Sequence, residues 1–401
     1  MTGMAGRHVT LGVSGGIACY KTCTVARRLT AAGVQVDVVM TASATEFVGP
    51  VTFEALTGRS VITSLWARGR ALDHVRIVRE SDLIVVAPAT AHLLARVAMG
   101  MADDFLTTLL LARHVDLLLC PAMNDQMFRN QDTQANLARL KAQGVHVLGP
   151  VAGPLAQGEG EGPGRMVEPE EIVAWTERLL RSAAPFEGRH FVVTAGPTRE
   201  EIDPVRVVTN RSSGRMGYAL ARAAWLRGAD VTLIAGPGAL PAPVGPKIVR
   251  VETTAELQDA VASSLAVADV LLMAAAPSDY APAEASPVKH RRDAGPLTLT
   301  LEPTPDVLSG TAYWRRTSAV IVGFALETGD PVTGAREKLI AKGLDLVVAN
   351  DATEEGSGPE VATNRVTLVT KDDAEALPMM SKEDAAEAIL ERVGAMIAAR
   401  G

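Results

Sequence analysis

Cysteine is scarce in this chain of 401 residues: Cys19, Cys23 and Cys120 are the whole set. Three thiols without zinc-ligand spacing exclude a disulfide framework, and buried free thiols are their default reading. Long apolar runs are missing too. No uninterrupted one reaches bilayer-spanning length, and Met1-Thr2-Gly3-Met4-Ala5-Gly6-Arg7 leads into a strand without an apolar signal core. A cytoplasmic protein with no membrane partner is expected. No block of positive charge is present: Lys and Arg total 39 against 46 Asp and Glu, for a net charge of -7, which argues against nucleic acid as a partner. Small anions stay open as ligands, because local backbone dipoles hold them whatever the net charge. Also absent are a GxGxxG fingerprint and a P-loop, so spacing alone names no ligand.

What the chain does have is the start of a nucleotide-type fold, twice. Gly12-Val13-Ser14-Gly15-Gly16-Ile17 and Val193-Thr194-Ala195-Gly196-Pro197-Thr198-Arg199 each follow an apolar strand-like run and lead into a helix-like pattern. Glycines there permit positive φ and close backbone approach. In the first half, strands are expected at 8–13, 34–40, 82–87, 117–120 and 145–148, with a helix over 17–32 ended by Gly33. The second half repeats the alternation, with strands at 190–193, 230–234, 269–273, 319–324 and 344–349 and helices at 217–228 and 336–342. Continuous apolar strands joined by helices predict parallel sheets covered on both faces. The length fits two domains, 1–184 and 185–401, with a short linker-like stretch near 181–188. Pro-rich 236–247 and 280–296 read as surface or lid loops. Ligands of parallel sheets sit beyond the carboxyl ends of the strands, where Ser14, Thr41-Ala42-Ser43, Ala87-Pro88-Ala89-Thr90 and Pro121-Ala122-Met123-Asn124 fall. One site is expected there.

Ordered motifs then resemble a family. They are Gly15-Gly16-Ile17-Ala18 with Tyr20-Lys21, Ala87-Pro88-Ala89-Thr90-Ala91, Ala102-Asp103-Asp104, Pro121-Ala122-Met123-Asn124 with Met127, and Gly164-Arg165-Met166 with Glu168-Pro169. The second half adds Thr194-Ala195-Gly196-Pro197-Thr198-Arg199-Glu200, Asp203-Pro204-Val205-Arg206, Asn210 with Ser212-Ser213-Gly214, Gly323-Phe324-Ala325 with Glu327-Thr328, and Ala349-Asn350-Asp351. The first half resembles the phosphopantothenoylcysteine decarboxylase flavoproteins, and the second resembles phosphopantothenate–cysteine ligase, fused as in the bifunctional enzymes of coenzyme A biosynthesis. The resemblance implies a flavodoxin-like, Rossmann-like flavoprotein domain followed by a Rossmann-like CTP-dependent ligase domain, each a three-layer α/β unit.

For the first half, the resemblance implies FMN and decarboxylation of 4′-phosphopantothenoylcysteine to 4′-phosphopantetheine, the flavin performing the redox steps while the protein positions the substrate. Ser14, Gly15, Gly16, Ile17, Ser43 and Thr90 match FMN-contacting positions, His74 the family's active-site histidine, and Asn124 its substrate-carboxylate asparagine. Taken alone, a single histidine is more often structural, and Asn124 could simply cap the segment after Pro121. Two positions depart from the family pattern. His92 replaces an asparagine, and Gln157 stands on the flap where the family carries the cysteine that donates the final proton. A carboxamide has no titratable proton near neutral pH.

For the second half, the resemblance implies activation of 4′-phosphopantothenate by CTP to an acyl cytidylate, then attack by the cysteine amine, with Mg2+ and cationic side chains offsetting the triphosphate charge. Lys289, in Lys289-His290-Arg291-Arg292, matches the essential lysine, although a basic loop by itself is ordinarily a solvated face. Asn210 and Arg206 match positions that handle the acyl intermediate and the substrate, Asp279 and Phe324 fall at nucleotide-site motifs, and Lys338 and Lys342, one helical turn apart, suit phosphates. Metal-binding residues are not assigned. The family further implies a homo-oligomer with trimeric flavoprotein and dimeric ligase contacts, which together would build a dodecamer. An alternative stays open: an active ligase whose FMN-binding half is impaired in decarboxylation by Gln157 and serves mainly in oligomerisation or regulation.

Overall fold

The computed structural model describes residues 3–66, 72–158, 160–181, 183–291, 295–358 and 361–400. The chain divides into two compact units, Met1–Ser182 and Ala183–Gly401.

The first unit is built on a five-stranded sheet in the spatial order Gln35–Met40, His8–Val13, Leu83–Ala89, Leu117–Pro121, His146–Val147. Every neighbouring pair is parallel. The strands read as continuous apolar runs because both faces are covered, and the two faces separate with the period of two that a strand imposes. Leu83, Val85 and Ala87 face a core with Val9, Leu11, Leu29 and Phe53. Ile84, Val86 and Ala89 face the opposite core with Leu93, Leu106 and Leu119. The helix Cys19–Ala31 buries Cys19, Thr22, Val25, Ala26 and Leu29, a stripe at helical spacing. It starts two residues later than the pattern suggested. A hairpin of Val151–Pro154 and Glu161–Arg165 forms the flap, and the helix Pro169–Leu180 follows.

The second unit carries an eight-stranded sheet in the order Lys247–Arg250, Asp230–Ala235, His190–Ala195, Val270–Met273, Val320–Glu327, Leu346–Asp351, Thr367–Val369, Ala374–Ala376. The first six are parallel and the last two antiparallel. One expectation is corrected here. The turn at Gly196 does not open a helix: the chain makes a hairpin, Arg199–Asp203 with Arg206–Thr209, and the helix Arg215–Leu226 starts only afterwards. Two side chains specify this detour. The Asp203 carboxylate accepts the amides of Val205 and Arg206, each at 2.9 Å, and closes the hairpin turn. The Thr209 hydroxyl donates to the Thr198 carbonyl at 2.6 Å, closing its base. Tyr280–Pro282 pairs with Leu301–Pro303, so the loop expected over 280–296 is strapped at its root. Arg292 of the basic cluster lies outside the described residues.

Candidate active sites

In the first unit the ends of adjacent strands are tied together by Ser14. Its hydroxyl donates to the Pro88 carbonyl at 2.8 Å and accepts the Thr90 amide at 3.0 Å. Thr90 in turn caps the helix Ala91–Ala98, accepting the Leu93 amide. Next to this knot the backbone at Gly15 lies so close to Ser43 that a Cβ there would sit 2.5 Å from the serine Cβ. Only glycine fits, and the turn and Ser43 together leave a backbone-lined cradle. Ile17 is 68 % exposed at its rim. The structure therefore brings Ser14, Gly15, Gly16, Ser43 and Thr90 together.

Asn124 and His74 lie on flanking elements. Asn124 does act as the N-cap of Asp125–Arg129, its Oδ1 accepting the Gln126 amide at 2.9 Å. The flap packs against the same loop: the Met123 amide donates to the Gly164 carbonyl at 3.0 Å, and a Cβ at Gly164 would lie 2.3 Å from the Met123 oxygen. His74 is the second residue of the helix Asp73–Glu80 and packs edge-on to Phe105 with ring centroids 6.4 Å apart. Its Nδ1 is buried without a hydrogen-bond partner. Such an orphan is costly unless a ligand supplies the bond. Gln157 is exposed at the tip of the flap, and His92 is exposed on its helix.

The second unit contains a cavity of about 710 Å³ beyond the strand ends. Asn210, Asp279, Phe324, Lys338 and Lys342 all line it. Asn210 Nδ2 donates to the Pro277 carbonyl at 2.8 Å. Lys338 Nζ donates to the Phe324 carbonyl at 2.5 Å, and Lys342 pairs with Asp306 at 3.1 Å. Burial, and then the neighbouring Lys342, hold the Lys338 ammonium below its ordinary pKa, an arrangement that an entering anion relieves.

Arg206 and Lys289 are not in the cavity wall. Lys289 is exposed, and its loop is anchored by Asp203, a residue that sequence reasoning had placed only within a motif. Asp203 Oδ2 accepts from Arg206 at 2.6 Å and from the His290 amide at 3.1 Å, while Arg206 also reaches the His290 carbonyl at 3.1 Å. Burial would raise the Asp203 pKa, but the amides of Val205, His290 and Arg206 and the Arg206 guanidinium outweigh it and hold the carboxyl at about 2. The anchor is thus ionised at any physiological pH. Lys382 and Asn364 also line the cavity and were not singled out by any motif. Lys382 had a signal, being a charge on the same helical stripe as Ala385, Ala386, Ile389, Leu390 and Val393.

One α/β unit with a backbone-lined cradle at its strand ends and a second with a cavity lined by lysines define a two-domain α/β protein with a candidate ligand site in each domain. Comparison with known proteins makes this particular. Residues 2–181 match the Flavoprotein family, and residues 186–396 match the family described as the DNA/pantothenate metabolism flavoprotein C-terminal domain. The coenzyme A biosynthesis bifunctional protein CoaBC of Vibrio vulnificus strain YJ016 is 43% identical over 397 residues, covering 98% of each chain. The protein of the same description from Mycobacterium tuberculosis strain H37Rv is 46% identical over 408 residues, covering 98% of this chain and 97% of its own. A solved C-terminal domain of such a protein aligns with 35% identity and a TM-score of 0.46, covering 54% of this chain and 98% of its own. The chain belongs to this family of bifunctional coenzyme A biosynthesis proteins, and its activities are phosphopantothenate–cysteine ligation and phosphopantothenoylcysteine decarboxylation.

Proposed function

We propose that residues 185–401 join 4′-phosphopantothenate to cysteine with CTP and Mg2+, and that residues 1–184 hold FMN and decarboxylate the phosphopantothenoylcysteine so formed. The observation that carries the second assignment is the cradle in which Ser14, Gly15, Gly16, Ser43 and Thr90 converge, with Ile17 at the rim. Amides of the first turn and the Ser43 hydroxyl suit a phosphate, which needs several donors and no net protein charge. Held there, FMN would take an electron pair from the carbon that bears the thiol and give it back once carbon dioxide has left, so that the overall reaction is redox-neutral. Asn124 Nδ2 holds the departing carboxylate, and His74 presents its buried Nδ1 to the substrate or cofactor. The carboxamide of Gln157 does not donate the last proton. It sits at a solvent-exposed tip, where water serves instead.

In the ligase half, Lys338 and Lys342 take phosphate oxygens, Asp279 and Phe324 shape the nucleotide end, and Asn210 polarises the carboxyl group as it becomes an anhydride. Lys289, tethered through Asp203 and Arg206, brings an ammonium group to the triphosphate from its exposed loop. We place the enzyme in the cytoplasm as a homo-oligomer. Incubating the purified protein with 4′-phosphopantothenate, cysteine, CTP and Mg2+ should yield CMP, pyrophosphate, carbon dioxide and 4′-phosphopantetheine. CMP formation without carbon dioxide would refute the decarboxylase assignment, and release of neither would refute both.

A further inference from the structure

Lys21 is the third residue of the helix Cys19–Ala31, which leaves the cradle turn, and it is only 6 % exposed. A buried ammonium group must find acceptors within the protein, and in the first turn of a helix it also works against the dipole. Both needs are met by one distant segment, the root of the flap. Lys21 Nζ donates to the Met166 carbonyl at 3.0 Å and to Glu168 Oε1 at 3.0 Å. The same carboxylate oxygen accepts from Arg165, the last residue of the flap's second strand. Glu168 stands at the N-cap of the helix Pro169–Leu180, yet its side chain accepts no bond from that helix. It faces Lys21 instead. Met166 and Val167, between the two charged residues, are each 1 % exposed and pack in the same core as Cys19, Val25 and Leu29.

The flap is thereby pinned at two points. Gly164 rests on the Met123 carbonyl beside Asn124, and the residues that follow are tied through Lys21 to the helix that starts at the cradle. Beyond this root the strands Val151–Pro154 and Glu161–Arg165 form a two-stranded sheet of their own, so the placement of the hairpin is set from its base. We propose that Lys21 is a positioning residue for decarboxylation: through Met166 and Glu168 it fixes the flap root against the helix that leaves the cradle, and with it the angle at which the flap meets the substrate. Its role runs through the flap, because its ammonium group is engaged there. This rests on the decarboxylase reading above. A displacement of about 1 Å at a reacting centre costs up to about 10²-fold in rate, so a tie far from the chemistry is enough to govern turnover.

Lys21→Met keeps the aliphatic stem, and the Glu168 carboxylate that it releases is partly solvated and still pairs with Arg165, so no buried charge is stranded. Assayed in the full-length protein with phosphopantothenoylcysteine, the variant should lose about tenfold in kcat for carbon dioxide release, with KM within about twofold and both flavin per protein and CMP formation from CTP unchanged. A lowered thermal midpoint with kcat within about twofold of wild type would make the tie merely structural and overturn the proposal. Loss of flavin in step with kcat would move Lys21 to the cofactor site and overturn it as well. Glu168→Gln should lower kcat in the same direction, and the double variant should be no slower than Lys21→Met; losses that multiply would show separate routes and overturn the link. Should Lys21→Met not fold, Glu168→Gln decides alone: kcat lowered more than about twofold with flavin retained supports the tie, and a smaller change overturns it. Wild-type protein that retains FMN but releases no carbon dioxide would instead refute the decarboxylase reading.

Discussion

A methyl group at Gly15 would stand 2.5 Å from the Ser43 Cβ and 2.6 Å from its carbonyl carbon, and backbone cannot yield as a flexible side chain can. Gly15→Ala should therefore open the cradle, costing roughly 1–3 kcal/mol and most of the flavin affinity. Flavin absorbance per protein after purification and the thermal midpoint check both. Lys289→Gln should behave oppositely. The side chain is exposed, so stability should stay within about 0.5 kcal/mol, while pyrophosphate release from CTP and 4′-phosphopantothenate slows greatly. Unchanged release would remove Lys289 from the reaction. Asp37 offers a test against pH. Burial raises its pKa, but His8 Nε2 at 2.8 Å and Arg59 Nε at 2.6 Å outweigh that and bring it to about 2. A depressed carboxylate stabilises the fold above its unfolded pKa, near 4, and that contribution disappears as pH falls through the folded value. Urea midpoints of the first unit should thus lose on the order of 2 kcal/mol between about pH 5 and pH 2, and Asp37→Asn should flatten that limb. The convergence of Ser14, Gly15, Ser43 and Thr90 was legible because each sits in a short motif at a strand end. Lys382 was not, because its signal is a charge on an apolar helical stripe, which needs the helix to be known first.

Element by element, the alternating strands and helices were readable because a strand buried on both faces leaves an unbroken apolar run, as in Leu83–Ala89. The hairpin Arg199–Thr209 was not. Its turn is held by one carboxylate, Asp203, and the positions that its first strand buries are the charged Glu200 and Asp203, so the hairpin gives no apolar run. The short antiparallel strands Thr367–Val369 and Ala374–Ala376 escaped for lack of length. The flap is another short hairpin, and a single glycine sets its contact with the neighbouring loop. Gly164, at φ 147°, lies against the Met123 carbonyl. Gly164→Ala should lift the flap from the Asn124 loop and lower kcat for decarboxylation about tenfold or more with flavin retention unchanged; simultaneous flavin loss would place the glycine in the cofactor site instead. Gln157→Cys should add a thiol acid at the exposed tip. Because water already serves there, the wild type should show flavin reoxidation in step with 4′-phosphopantetheine and the substitution should gain little; faster single-turnover product formation in the variant would refute the role of water.

At the scale of the molecule, the two halves have separate cores. Val9, Leu11, Leu29, Phe53 and Leu118 pack within the first unit, and Ile84, Leu93, Leu106 and Leu119 form its second layer. The second unit packs Val192, Ile234, Leu271, Ile321 and Val347 among its own helices. A domain that buries its own apolar surface on both faces of a sheet holds the condition for folding alone. Segment 1–184 expressed by itself should therefore purify yellow with noncovalent FMN, and segment 185–401 should release pyrophosphate from CTP and 4′-phosphopantothenate. Mixed together with cysteine they should carry 4′-phosphopantothenate through to 4′-phosphopantetheine, because phosphopantothenoylcysteine is a diffusible product of one and the substrate of the other. A folded 1–184 that neither retains nor takes up FMN would sink the cofactor assignment. Two folded, individually active segments whose mixture stops at phosphopantothenoylcysteine would show that decarboxylation needs the intact chain, and the division of labour between two self-sufficient halves would then fail.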